Sequence, residues 1–351
     1  MKAKRLEIAG RVIGPQQPCF LMAEAGVNHN GRVELAKRLI DAAAEAGADA
    51  VKFQTFRAEA LASPSAPLAA YQRRAVGTAA SQLDMIRQLE LPPAAYRELQ
   101  AHCRVRGILF LSTPFDEDSV NLLAELNVPA FKIASGEITN WPLLQRVARH
   151  GRPMIVSTGM SSLDEVQQAV SVIRAAGNDQ VVLLHCVSQY PAPACEANLR
   201  ALHTMRETFG LPVGYSDHTL GADVALAAVA LGACILEKHI TLDRDLPGPD
   251  HKASLVPEEW KRLVRGVRTV ESALGHGRKE AAPSERDTAA VARRSLVAAR
   301  DIAVGKRLTE ELIAIRRPGT GLPPKMRSEL VGRTAKGHIP AGSLLELEMF
   351  E

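Results

Sequence analysis

Aromatic side chains are scarce in this chain of 351 residues, at 4%, and its formal net charge of +4 is spread along the sequence with no long run of one sign. That pattern gives no case for nucleic acid as a partner. The longest apolar run, Val224 to Leu236, falls short of the roughly 20 residues a membrane helix needs. The opening MKAKRLEIAGRVIG begins basic but lacks an apolar stretch of signal-peptide length. The expectation is therefore a soluble protein of the cytoplasm with no membrane partner. Cys19, Cys103, Cys186, Cys195 and Cys234 form an odd set without CxxC spacing, which argues for reduced, mostly buried thiols with no metal or redox role. No GxGxxG follows the first strand-like run, so a doubly wound nucleotide-binding sheet is only the second choice of fold. No fixed-interval signature such as HExxH is present either.

What is present is rhythm. Short β-rich runs recur at Cys19–Val27, Ala50–Phe56, Ile108–Pro114, Ala130–Glu137, Pro153–Met160, Val181–Pro191, Pro212–Thr219 and Cys234–Thr241. Helical patterns lie between them. In Arg32–Ala48, Leu35, Leu39, Ala42 and Ala46 recur at helical spacing and Gly47 supplies a stop; in Ser161–Asn178, Ser162 and Glu165 form a capping box and Gly177 closes the end. Eight strand–helix units predict a (β/α)₈ barrel, a TIM barrel, over residues 1–275. The connection Arg57–Pro93 is too long for an ordinary loop, and its first part is expected to fold over the barrel mouth. A last barrel helix at Pro257–Gly275 leads into a polar linker, 276–292, and then into a small β-rich domain, 293–351. About sixty residues is near the lower limit for independent stability.

In such a barrel the chemistry sits at the C-terminal ends of the strands, and nearly every run here ends in groups a pure core would reject. Glu24, Asn28 and His29 close the first; Lys52 and Gln54 share a face of the second; Thr113 ends the third. Lys132, Ser135 and Glu137 follow on the fourth, and Ser157 and Thr158 on the fifth. His185, Ser188, Gln189 and Tyr190 end the sixth, Ser216, Asp217 and His218 the seventh, and Glu237, Lys238 and His239 the eighth. His218 and His239 occupy matching places on neighbouring strands, so their imidazoles can meet at the mouth and, with a carboxylate such as Asp250 in PGPDH, suit a divalent ion such as Mn²⁺. Each could equally be a hydrogen-bonded barrel histidine. Lys52 and Lys132, in mid-strand among apolar residues, suit convergence on a phosphate or carboxylate. Glu24 and Glu137 can serve as acid, base or water activator, or sit in structural salt bridges. In RRPGTG the proline and glycines would shape a tight loop and fix where an arginine points.

The ordered motifs AEAGVNHNG, VKFQTF, LSTPFD, FKIASGEITN, STGM, LLHCVSQYP, GYSDHT, EKHIT, PGPDH, ARRSL and RRPGTG resemble the sialic acid synthase family over nearly the whole chain. The resemblance implies a TIM barrel joined to a C-terminal antifreeze-like SAF domain. It implies condensation of phosphoenolpyruvate with an N-acetylated mannosamine-type sugar to a nine-carbon α-keto acid, and a domain-swapped homodimer in which the small domain caps the partner's barrel. Residue by residue, it makes His218 and His239 the metal ligands, with Mn²⁺ first and Mg²⁺ or Co²⁺ as alternatives. Lys52, Lys132, Ser135, Ser157 and Ser216 become phosphoenolpyruvate contacts. Gln54, Tyr190 and Asp250 border the sugar, and Arg317 reaches across the dimer to its N-acetyl group. Glu24 is the catalytic carboxylate near the attacking water or the sugar hydroxyls, Glu137 is its counterpart beside the reacting carbons, and Lys52 and Lys132 are catalytic with them. N-acetylmannosamine is the first choice of sugar. The 6-deoxy, 4-acetamido sugar leading to legionaminic acid is the alternative, and the pseudaminic acid precursor a weaker third, because some members carry asparagine at Ser188 and histidine at Phe53, both expected near the site. Two rivals remain: a metal-dependent hydrolase or lysine Schiff-base aldolase on the same barrel, and a non-catalytic carbohydrate-binding protein.

Overall fold

A computed structural model describes residues 5–70, 72–73 and 81–351. The chain divides into two compact units, Met1–Gly275 and His276–Glu351. The first opens with a hairpin, β1 (Leu6–Ile8) and β2 (Arg11–Ile13), turned by Ala9 and Gly10, both at positive φ.

Eight parallel strands follow: β3 (Phe20–Gly26), β4 (Ala50–Thr55), β5 (Leu109–Pro114), β6 (Phe131–Ile133), β7 (Met154–Ser157), β8 (Val181–Cys186), β9 (Val213–Asp217) and β10 (Ile235–His239). Their order is β5-β4-β3-β10-β9-β8-β7-β6, and β5 lies beside β6, so the sheet curls round on itself as the sequence predicts. All but β5, which ends at Pro114 as predicted, end a residue or more inside the predicted runs. After Ile133, for example, the chain leaves the ladder for a 3₁₀ turn at Ser135–Glu137, closed by the Glu137 amide on the Ala134 carbonyl.

Alternation along each strand sorts side chains into two cores. Outward residues such as Leu21, Val51, Phe53, Phe131, Leu183, Tyr215 and Leu236 pack beneath the surrounding helices. Inward residues at the strand starts, among them Phe20, Met22, Ala50, Leu111, Ile155, Val182 and Ile235, join Ile8 and Ile13 of the hairpin, which closes the bottom of the barrel. The helices obey their caps. Val33–Ala46 stops at Gly47, whose φ of 85° is the left-handed region that a Cβ disfavours. Leu163–Ala175 starts in the capping box of Ser162 and Glu165.

The long connection forms short helices at Ala58–Leu61 and Gln82–Leu89 and a small apolar cluster of its own that includes Phe56, Leu68, Leu83 and Ile86. Among the described residues no helix is long and apolar enough to cross a membrane.

In the second unit β11 (Ser295–Ala298) pairs antiparallel with β12 (Ile313–Arg316) over a core that includes Leu296, Ile302, Leu308, Leu330, Leu345 and Phe350. The stretch 276–292, read as a linker, carries a helix at Arg286–Ala292, and its Ala290 and Ala292 carbonyls accept from the Gly319 amide and the Arg317 guanidinium.

Candidate active site

The inward residues change character towards the strand ends. On β3 the inward series runs Phe20, Met22, Glu24, and on β10 it runs Ile235, Glu237, His239, so apolar filling gives way to charge near the mouth. In register, Glu24 stands beside Lys52 on one side and His239 on the other, and Glu237 stands beside Ser216. Above them opens a cavity of about 470 Å³. Its floor is polar, and Leu61, Met85, Ile86 and Leu89 of the long connection supply an apolar wall.

Two lysines and two glutamates occupy the floor. Lys52 Nζ lies 2.9 Å from Glu24 Oε2 and 3.4 Å from Glu237 Oε2, and Lys132 Nζ lies 3.5 Å from Glu237 Oε1. Ser216 Oγ donates to Glu237 Oε1 at 2.6 Å, Gln54 Nε2 to Glu24 Oε1 at 3.3 Å, and Lys52 Nζ to Thr113 Oγ1 at 3.3 Å. Burial alone would push both carboxyls up. At Glu237 the two ammonium groups outweigh it and hold the carboxyl well below the usual range. At Glu24 burial prevails over Lys52, and the pKa is raised to about 7. One lysine charge is thus balanced by an ionised Glu237 and the other by a carboxyl that shares a proton near neutrality, so the floor is built to accept an anion.

Serines stand round this floor. Ser157 Oγ is buried with no hydrogen-bond partner. Ser135 Oγ accepts from the Gly159 amide at 2.9 Å and lies 3.2 Å from Cys186 Sγ. Glu137, half-buried, accepts from Asn140 Nδ2 at 2.7 Å, and burial raises its pKa.

His218 and His239 do meet, with ring centroids 5.5 Å apart, and Tyr190 packs on His218 at 4.2 Å. Burial holds His218 down at about 4 and His239 well below its ordinary range, so both are neutral imidazoles. His218 Nδ1 must donate to the Val187 carbonyl, 2.6 Å away, which leaves Nε2 as the lone-pair nitrogen. The neighbouring Ser216 hydroxyl spends its proton on Glu237 and so offers that lone pair nothing. His239 Nδ1 is buried without a hydrogen-bond partner, 3.8 Å from Asp250 Oδ2. Among the described residues no group of three or more His, Cys, Asp or Glu is placed to hold a metal alone. Two unengaged imidazole nitrogens nonetheless fit a divalent ion completed by substrate oxygens and water.

The cavity therefore gathers Glu24, Lys52, Gln54, Lys132, Ser135, Glu137, Ser157, Tyr190, Ser216, His218, His239 and Asp250. Arg317 lies in the other unit, exposed. Ser188 lines the cavity, but Phe53 does not: it points out of the barrel and stacks on Phe110 at 5.8 Å, because Lys52 and Gln54 on either side point in. Of the thiols, Cys186 proves to face the site while Cys195 is exposed. Glu237 received no role from the sequence, although its place two residues before His239 puts it on the same face.

A ring of parallel strands whose ends bring two lysines, three glutamates and two neutral imidazoles to one cavity defines a TIM-barrel enzyme built to hold a small anion. The chain belongs to the NeuB family, whose model matches residues 39–279, and a SAF domain model matches residues 293–351. It is 47% identical to the N,N'-diacetyllegionaminic acid synthase of Campylobacter jejuni over 93% of this chain and 98% of that one. With the Legionella pneumophila protein of the same name it shares 46% identity over 96% of each chain. The crystal structure of the N-acetylneuraminic acid synthetase of Leptospira borgpetersenii superposes with a TM-score of 0.74 at 36% identity, covering 82% of this chain and 95% of that one.

Proposed function

We propose that this nonulosonic acid synthase condenses phosphoenolpyruvate with 2,4-diacetamido-2,4,6-trideoxymannose to give N,N'-diacetyllegionaminate and phosphate. The lysine-lined anion floor supports the phosphoenolpyruvate half of this reading. The sugar rests on one observation: the two relatives at 47% and 46% identity both bear the legionaminic name, against 40% and 36% for two that bear the N-acetylneuraminic one. N-acetylmannosamine, the first choice from sequence, becomes the second, and the pseudaminic precursor stays third.

In this mechanism Lys52 and Lys132 take the phosphate and carboxylate of phosphoenolpyruvate, with Ser135 and Ser157 as hydroxyl donors, while Ser216, its proton on Glu237, borders the anion and Glu237 fixes the lysines' spacing. C3 of phosphoenolpyruvate attacks the aldehyde carbon of the open-chain sugar, positive charge develops at C2, and water adds there. The tetrahedral intermediate breaks its C–O bond and expels phosphate. Glu24, its pKa about 7, is suited to take the proton of that water, and Glu137 to manage charge at the rim. Gln54, Tyr190 and Asp250 border the sugar. His218 and His239 would hold a divalent ion, Mn²⁺ before Mg²⁺ or Co²⁺, which when bound supplies Lewis-acid polarisation of the sugar's carbonyl oxygen. The protein acts as a domain-swapped homodimer in which Arg317 of one protomer meets the sugar held by the other.

The test incubates the protein with Mn²⁺, phosphoenolpyruvate and each of the three sugars, following phosphate release and product mass. Sugar-dependent phosphate with the diacetylated nine-carbon acid as the preferred product is expected. Preference for N-acetylmannosamine overturns the choice of sugar, and no product from any of them overturns the reaction.

A further inference from the structure

We propose that Lys238 and Asp217, an ion pair outside the barrel lumen, are positioning residues that set the two imidazoles of His218 and His239 for a divalent ion. This rests on the proposed role of those histidines as metal ligands.

The pair is costly where it stands. Both side chains are 0% exposed, with Lys238 Nζ 2.6 Å from Asp217 Oδ2. Their Cα atoms are register partners on β10 and β9, and alternation turns both away from the cavity into the layer where Tyr215 and Leu236 pack beneath the helices. Apolar side chains of similar volume commonly hold such a place at no loss, and often at a gain, because desolvating two charges offsets their attraction. Stability alone therefore does not account for the pair.

Its position does. Asp217 and Lys238 each immediately precede one of the histidines. Strand β9 ends at Asp217, and past it an isolated parallel bridge, Ala192 to Thr219, pairs the backbone. What fixes that backbone is Thr219. Its amide and hydroxyl donate to Asp217 Oδ1 at 2.9 and 2.8 Å, and its carbonyl accepts from Lys238 Nζ at 2.8 Å. The His218 carbonyl accepts from the Ala192 amide at 2.9 Å, and its ring is held by Val187 at 2.6 Å. One ammonium group on β10 thus clamps the residue after His218 to the strand that carries His239. The pair ties the two ligand-bearing segments together from behind the wall.

Three variants separate this role from a merely structural one: Lys238→Met, Asp217→Leu and the double substitution. Each is assayed for melting temperature, Mn²⁺ affinity by calorimetry, and kcat and KM for phosphoenolpyruvate. The singles lose stability, since each leaves a buried charge unpaired. The double variant regains most of the melting temperature yet binds Mn²⁺ about tenfold or more weakly, the usual scale for groups behind a metal ligand, and loses kcat while KM for phosphoenolpyruvate holds. A double variant with wild-type Mn²⁺ affinity and kcat overturns the proposal. Should the double variant not fold, Thr219→Val keeps the ion pair but removes one tether. Weaker Mn²⁺ binding at near wild-type melting temperature supports the proposal, and unchanged binding overturns it. A wild-type protein that makes product yet binds no Mn²⁺ removes this inference along with the metal reading, while the synthase reading stands.

Discussion

Without Glu237, the ammonium groups of Lys52 and Lys132 would share a buried floor with only the half-protonated Glu24 against them. Removing one partner of a buried charge cluster typically costs about 3–5 kcal/mol. Glu237→Gln is therefore expected to lower the melting temperature of the free protein sharply. Saturating phosphoenolpyruvate, which brings negative charge back, should raise it by more in the variant than in wild type. An equal or smaller ligand-induced rise would show that the lysines do not hold the anion. The buried histidines give a second expectation at this scale. His29, His218 and His251 are held by burial at about 4 against an ordinary 6.5, and His239 well below that ordinary value, so the unfolded chain takes up protons first. Their contribution to stability is complete above 6.5 and is lost as the pH falls towards about 4. Glu24 and Asp250, raised to about 7 and about 6, and Glu137, also raised, pull the opposite way, but three carboxyls do not offset four imidazoles. Denaturant midpoints should fall steadily across that window. A flat profile would mean that the histidines are charged in the folded state.

At the scale of elements, the barrel was legible because each strand end carries its own contradiction: apolar residues, then a charge. Parity along β4 was enough to place Lys52 and Gln54 inside, and the same parity should have placed Phe53 outside, where it stacks on Phe110. The β1–β2 hairpin escaped notice because two three-residue strands round an Ala–Gly turn leave no periodic signal. The loop after β7 also hid its role. A Cβ on Gly159 would meet Ser188 Oγ at 2.2 Å, Ser135 Oγ at 2.9 Å and Cys186 Sγ at 3.0 Å, so three strand ends close on that one position. Gly159→Ala should push Ser135 off its place. The expected fall in kcat/KM for phosphoenolpyruvate is about tenfold or more, since small displacements of a binding group carry such penalties, with little loss of melting temperature. Unchanged kinetics would take Ser135 out of the anion site.

For the molecule as a whole, the boundary was readable from composition, since a polar stretch separates two runs of apolar pattern, and each unit has its own core. No pattern within one chain could say whose barrel Arg317 serves. Mixing Glu137→Gln with Arg317→Ala and allowing subunit exchange answers that. With capping in trans, half the dimers are mixed and each has one intact site, so about a quarter of wild-type activity should return. No recovery after demonstrated exchange would mean that each small domain serves its own barrel. The hairpin under the barrel bears on something else, the order in which the protein is made. Ile8 and Ile13 precede every barrel strand in the chain, yet part of their seat is Ile235, at the other end of the barrel sequence. Until β10 emerges, the nascent chain carries a greasy hairpin whose seat is unfinished, and the floor of the vessel is made before its walls and fitted fully only with the last of them.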